Sequence, residues 1–355
     1  RMSTLKVDTL QHRDGTEYIL SERNKLINGD FSVAQRGTSI TSATDITNND
    51  TNHTLDRWQL FSDGNDIVDV TQETTTVPTN GLYAIALDVE TANKKFGIAQ
   101  KIEQKNCVDL IGQEVTLSFK AKVSATTNLD NVKCAIIAWD GTADSLTDDM
   151  ISAWGSEGTD PTLATNYTYE NTPANLNLTT SYATYTTTAT IDTSGAKNVV
   201  VFIWSDVTTT STGEFLYVTD VQLEKGPSNS IFERKSYGQQ LTESLRYFEI
   251  RTAQENNNER LAYGMAEGST SAQFGFHPKV TKFKAPSLIV TDIGNAQTYD
   301  GATRGISSLT MAESGIHYCN MAASGLSGAA LGRAIQLSRD GTDSPGPTIA
   351  LDAEI

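Results

Sequence analysis

Apolar side chains fall on every second position in several separate stretches of this chain. Tyr83, Ile85, Leu87 and Val89 point one way in "YAIALDV". Val115, Leu117, Phe119, Ala121 and Val123 do so in "VTLSFKAKV", with Thr, Ser and two Lys between them. "EFLYVTDVQL" reads as a third such strand, with Phe215, Tyr217, Val221 and Leu223 on one face. A period of two is the mark of a strand with one buried and one solvated face. "CAIIAW" (134–139) and "VVVFIW" (199–204) are apolar without interruption, which predicts central strands covered on both sides. The Thr-rich "YATYTTTATI" predicts an exposed strand after a long irregular loop.

One segment changes period. Leu241, Leu245 and Phe248 stand at i, i+4 and i+7, one face of a helix, predicted from about Gly238 to Tyr247. Gly226 and Pro227 stop the strand before it. The chain then returns to strands, in "SAQFGFHPKV", "SLIVTDIG" and the closing "GPTIALDAEI", where Ile349, Leu351, Ala353 and Ile355 alternate. The pattern predicts an all-β protein: a jelly-roll β-sandwich over 24–235, a helical connector at 236–250 and a second, smaller C-terminal β domain over 251–355. Residues 1–23 read as a β lead-in of two short strands around Asp14-Gly15, too small to stand alone. It is expected to attach the chain or knit sister chains together.

Composition narrows the partners. The chain of 355 residues carries a formal charge of −16, which repels phosphate backbones and anionic membranes, so neither nucleic acid nor membrane insertion is expected. No run of 18 apolar residues occurs, and "MSTLKVDTLQHRDG" lacks an apolar signal core. Cys107, Cys134 and Cys319 are odd in number and widely spaced, so buried thiols are expected, with a Cys107–Cys134 bridge as the alternative. His12, His53, His277 and His317 are isolated, and there is no G-x-S-x-G, P-loop or Rossmann fingerprint. An enzyme is not expected, and no cofactor is required.

Three groups of residues carry a family resemblance. "KLINGDFSVAQRGTS", "LDRW" and "LYVTDVQLEKGPSNSIFERKSYGQQLTESLRYF" together resemble virion proteins of tailed bacteriophages, which open with NGDF…WQRGT…DRW and close with QLE.G…T.FE.R…E…C.RYY. The start "MSTLKVDTLQ" and the ending "LDAEI" look like virion proteins from phages of marine cyanobacteria. The family's Trp, Cys and second Tyr are Ala34, Leu245 and Phe248 here. The resemblance covers 2–250 well and 251–355 loosely.

The resemblance implies a jelly roll similar to carbohydrate-binding modules, in a tail fibre or spike that is located in the virion and assembled in the host cytoplasm. Its partners would be sister chains in a homotrimer, other virion or tail proteins, and a host-surface glycan held by many weak contacts. A head-decoration protein without a ligand and a polysaccharide-degrading tail spike are the alternatives. The resemblance further places Ile27 and Phe31 as buried residues of a first strand running beside the last one, with Asp30 near Asp220. These two carboxylates either share a structural Ca2+ or cap backbone N–H groups in turns.

For a glycan site the aromatic residues matter most. Trp58 and Trp204 sit in apolar strand contexts and are expected in the core. Trp154 lies in the polar, Gly-rich "ISAWGSEG", and Tyr167 and Tyr169 in "NYTYEN"; Trp139 directly precedes "DGTADS". Exposed aromatics in such loops point to a sugar-stacking site at Trp154, Tyr167, Tyr169 and Trp139, or to contact with a sister chain.

Overall fold

The alternation resolves into strands almost wherever it occurs. The structure, a computed structural model, describes residues 22–45, 52–252, 260–340 and 346–355. The predicted lead-in strands lie outside the described residues.

Among the described residues, fourteen strands build the first domain: β1 (Ser39–Ile40), β2 (Asn52–His53), β3 (Gln59–Ser62), β4 (Val68–Glu73), β5 (Ala84–Val89), β6 (Phe96–Ile102), β7 (Glu114–Val123), β8 (Val132–Trp139), β9 (Ile151–Ala153), β10 (Thr162–Leu163), β11 (Tyr167–Tyr169), β12 (Ala183–Thr190), β13 (Asn198–Ser205) and β14 (Phe215–Lys225). Twelve of them form two antiparallel six-stranded sheets, in the orders β1-β4-β5-β14-β7-β12 and β11-β8-β13-β6-β3-β2, and β9 pairs with β10. The chain crosses repeatedly from one sheet to the other, as in a jelly roll. Between the sheets lies one core: Ile85, Leu87, Leu117, Phe119, Val218 and Leu223 face Ile98, Ile136, Val201 and Ile203. β8 and β13 are buried along their whole length.

β14 departs from the expected phase. Its inward residues are Leu216 and Val218 at one end and Val221 and Leu223 at the other. The register with β7 slips between Thr219 and Gln222, so Asp220 and Val221 together oppose Phe119. Asp220 sits at φ +51°. This bulge reverses the alternation and turns Phe215 and Tyr217 outward, where sequence spacing alone had put them inside. Their rings stack with centroids 5.6 Å apart.

β5 reaches only as far as Val218 on β14. Beyond it the opening segment takes the edge. Lys25 N donates to Leu223 O, and Val221 N to Gly29 O at 2.8 Å, while Asn24 Nδ2 donates to Val221 O. The opening and closing stretches therefore run side by side. Leu26 is buried and Ile27 only half-buried, so the core residue is Leu26 where the first-strand reading had Ile27. Phe31 is fully buried against Trp58, ring centroids 5.2 Å apart.

Asn28 ties this corner together. It is buried at φ +58°, a conformation asparagine tolerates. Its amide donates to Val33 O and Asp56 O, its side-chain oxygen accepts Val33 N, and its carbonyl accepts the Trp58 indole. Its own N–H goes to Gln240 on the helix Tyr237–Leu245.

The second domain is a smaller sandwich. β15 (Phe248–Thr252), β24 (Thr348–Asp352) and β18 (Ser287–Thr291) form a three-stranded sheet. The seven-stranded sheet contains β16 (Arg260–Ala266), β17 (Ser271–Phe276), β19 (Ala296–Tyr299), β20 (Thr303–Gly305), β21 (Ser308–Ser314), β22 (Cys319–Ser324) and β23 (Ala334–Arg339). Phe274, Met321, Leu337, Ile349 and Leu351 share its core. All three cysteines are free and buried. The Cys107–Cys134 alternative is therefore not realised, and burial pushes both thiols up to about 12.

Two arginines join the domains. Arg57 and Arg36 lie over the rings of Tyr247 and Phe248, at 3.6 and 3.7 Å from their centroids. Both reach the chain end: Arg57 pairs with Glu354, and Arg36 with Asp352 and Glu354. Burial alone would raise the Glu354 carboxyl, but Arg57, His53 and Arg36 hold it at about 2. Burial lowers His53 to about 4 against the pull of Glu354.

A Cβ on Gly29 would lie 2.1 Å from Val221 O, a backbone atom that cannot swing aside, so Gly29→Ala should cost about 3 kcal/mol in urea unfolding. An unchanged midpoint would disprove the close approach. His53 stays neutral in the fold while the unfolded chain protonates near its ordinary value of 6.5. Its contribution is present above pH 6.5 and is lost as pH falls through 4. His53→Gln should flatten the melting-temperature profile between pH 6.5 and 4; identical profiles would count against this.

Candidate functional site

The four aromatics singled out in the sequence are brought together, but inside. Trp139, Trp154 and Tyr167 are 3, 7 and 6% exposed. With Phe61, Ile137, Phe202 and Trp204 they form a second apolar cluster on the outer face of the β8–β13 sheet. Tyr169 packs at its edge, its ring 6.4 Å from Trp204. The expectation of exposed rings is corrected. Residues 140–166 fold back as a flap over that face, and Leu146, Met150, Ile151 and Trp154 are its buried underside.

Charge pins the flap. Lys95, wholly buried, pairs with buried Asp206 and donates to the carbonyls of Trp154, Ser156 and Thr159. Lys133 bridges Asp160 on the flap to Asp206 on the sheet, at 2.8 and 3.0 Å. The phenols donate inward, Tyr167 to Thr147 O and Tyr169 to Pro161 O, and burial raises both above the ordinary tyrosine range.

Asp30 and Asp220 lie on neighbouring backbones but turn to different partners. Asp30 Oδ1 accepts from Gln240 Nε2 at 2.8 Å and from Ser32 N at 3.3 Å. Asp220 pairs with Lys120 at 2.9 Å and Arg234 at 3.1 Å. Among the described residues no group of three or more His, Cys, Asp or Glu side chains is placed to hold a metal ion.

An open groove runs over the outer face of the other sheet. One part, about 590 Å³, is lined by Thr79, Lys120, Thr184, Asp220, Phe232 and Arg234, among others. A second, about 520 Å³, shares Thr79, Lys120 and Thr184 and continues past Lys122 and Tyr182. The floor comes from the outward positions of β7, whose inward residues hold the core. Lys120 stands between Thr184 and Thr219 in register, and Lys122 opposite Tyr217. The loop 76–80 and the segment 228–232 flank this floor.

Tyr182 donates to Thr76 O at 2.8 Å, and burial together with Glu73 keeps it a phenol. Lys122 Nζ lies 5.9 Å from the Tyr182 ring centroid and 5.5 Å from that of Tyr217, within cation–π range. Aromatic edges, ammonium groups, hydroxyls and amides thus share one shallow trough. That is the chemistry needed to lay a sugar ring on an aromatic face and hydrogen-bond its hydroxyls. Sequence reading missed this site because its residues are the polar half of an alternating strand. The bulge, unseen in the sequence, turns the buried Tyr217 ring toward Lys122 beneath it.

No family model and no curated protein matches the chain. Solved structures similar to it include the enzymatically active domain of tailspike protein 4 from bacteriophage CBA120, at 16% identity and a TM-score of 0.34. That match covers 59% of this chain and 23% of the tailspike chain. A putative sugar-binding protein from Bacteroides thetaiotaomicron matches at 14% identity and a TM-score of 0.34, over 57% of this chain and all of the other. The CBM22-1 xylan-binding domain of Paenibacillus barcinonensis Xyn10C matches at 12% identity and a TM-score of 0.31, over 54% and 94% of the two chains. The sandwich itself is established by its own sheet order and register.

Because Trp154 fills the space beneath the flap, Trp154→Ala should destabilise the chain by about 4 kcal/mol, read by denaturant unfolding. Full retention of stability would contradict the closed flap.

Proposed function

We propose that this chain is a non-catalytic, glycan-binding virion protein of a tailed phage, a tail-fibre or spike component that adheres to host-surface polysaccharide. The groove over Lys120, Lys122, Thr184, Tyr182 and Phe232 carries this reading. It is long, shallow and open, suited to an extended chain of sugars rather than a small enclosed substrate. The phage part of the reading is supported by the opening and closing motifs, whose residues are the ones that tie the opening segment to β14 and the helix and the two domains together. The non-catalytic part is supported by how the carboxylate in the groove is engaged: Asp220 is paired twice with cations. No cofactor enters the proposal.

Adhesion through so open a trough gains from repetition, and the proposal therefore includes a homotrimer. The outer face of the seven-stranded sheet supports a contact between sister chains. Tyr263 and Tyr299 both stand opposite Gln336 there, with Met265 two residues along from Tyr263, and the three are 68, 47 and 54% exposed.

A glycan array on the intact protein should show binding to extended polysaccharides. Tyr182→Ala and Phe232→Ala should each weaken it about ten-fold, the worth of one stacked ring, while unfolding stays cooperative. Sedimentation of the same sample should return three chain masses. Glycan binding indifferent to both variants would remove the groove from the account, and a monomer would remove the trimer.

A further inference from the structure

The groove's charge runs against that of the whole molecule. The chain carries −16, yet Lys120, Lys122 and Arg234 line the trough, with Asp220 the one carboxylate among the described residues of its lining. Lys120 and Arg234 share Asp220, which leaves one positive charge over. Lys122 adds another. It is half-buried, faces Tyr182 and Tyr217, and makes no ion pair among the described residues. The nearby Glu73 is engaged by the hydroxyl of Thr75 and the backbone of Thr75 and Thr76.

A neutral sugar would need the rings and hydroxyls but not this ammonium. Half-buried beside two aromatic rings, an ammonium is better stabilised by a counter-anion than by either ring alone. We infer that the ligand is an anionic glycan, a sugar chain bearing a carboxylate or a sulfate ester, and that Lys122 is the residue that reads its charge. The inference rests on the groove reading above and adds the ligand's charge to it. Lys122 holds the anion, the Tyr182 ring supports the adjacent sugar, and Thr79, Thr184 and Asn229 meet its hydroxyls. The overall negative field then works as a filter: anionic ligands are repelled elsewhere on the surface and accepted along this trough, where the cations outnumber the carboxylate.

The test compares polygalacturonate, dextran sulfate and neutral dextran against the intact protein by isothermal titration, at 20 and 300 mM salt. Both anionic polymers, or one of them, should bind at least ten-fold tighter than dextran at low salt, and the margin should shrink at high salt. Preference for polygalacturonate assigns the carboxylate; preference for dextran sulfate assigns the sulfate ester. Lys122→Gln should cut anionic affinity about five-fold, whereas Lys197→Gln, exposed and outside the groove, should leave it unchanged. Dextran bound as tightly as the anionic polymers, or equal losses from both lysine variants, would overturn the charge inference while leaving the groove in place. Binding unaffected by Tyr182→Ala would instead overturn the groove reading.

Discussion

The two-for-one bulge at Asp220 and Val221 is the constraint on which the rest of the molecule depends. At that point β14 must satisfy three demands. Its side chains have to keep filling the core, which they do only because the bulge moves the inward set from Leu216 and Val218 to Val221 and Leu223. Its freed backbone groups need partners, and the opening segment supplies them through Gly29 O and the Asn24 amide. Its buried carboxylate needs cations, and Lys120 and Arg234 provide them. The same irregularity therefore closes the sandwich, anchors the start of the domain and shapes the groove floor.

The residues that stand out as motifs in the sequence are architectural. Asn28 and Gly29 build the corner against β14. Arg36 and Arg57 stack on Phe248 and Tyr247 and run on to Asp352 and Glu354. Arg246 and Tyr247 reach Glu103 on the first domain. Buried arginine–carboxylate contacts of this kind are costly to break once formed. They fix the second domain on the first, so Ile355 can seat in the aromatic cluster beneath the flap. The binding chemistry sits elsewhere, on polar positions that packing leaves free to vary.

Much of the fold was legible because period-two alternation is a direct consequence of strand geometry. β5 and β7 follow from it; β8 and β13 follow from their uninterrupted apolar runs, and the helix at Tyr237–Leu245 from the change to an i, i+4, i+7 spacing. Two things were hidden. A bulge leaves no mark in hydrophobicity, so spacing alone puts Phe215 and Tyr217 on the inner face, and the structure puts them on the outer one. The flap was hidden by its Gly- and Asp-rich composition, although a signal was present. "CAIIAW" and "VVVFIW" are apolar on both faces, so something had to cover the outer one, and Leu146, Met150 and Trp154 recur every fourth residue in the loop that does. The candidate site was the least legible part, since Lys122, Thr184 and Tyr182 are what any solvated strand face contains. Only the sheet's cross-strand register places them in one trough.

One outer face of the sandwich is proposed to bind, while the other is sealed as core beneath the flap. Hydrogen exchange of the intact protein, with and without a saturating bound oligosaccharide, tests it most directly. New protection is expected in the loop 76–80, around 180–184 and in 228–232, with the flap at 140–166 unchanged. Protection confined to the flap, with the groove segments exchanging as before, would contradict it.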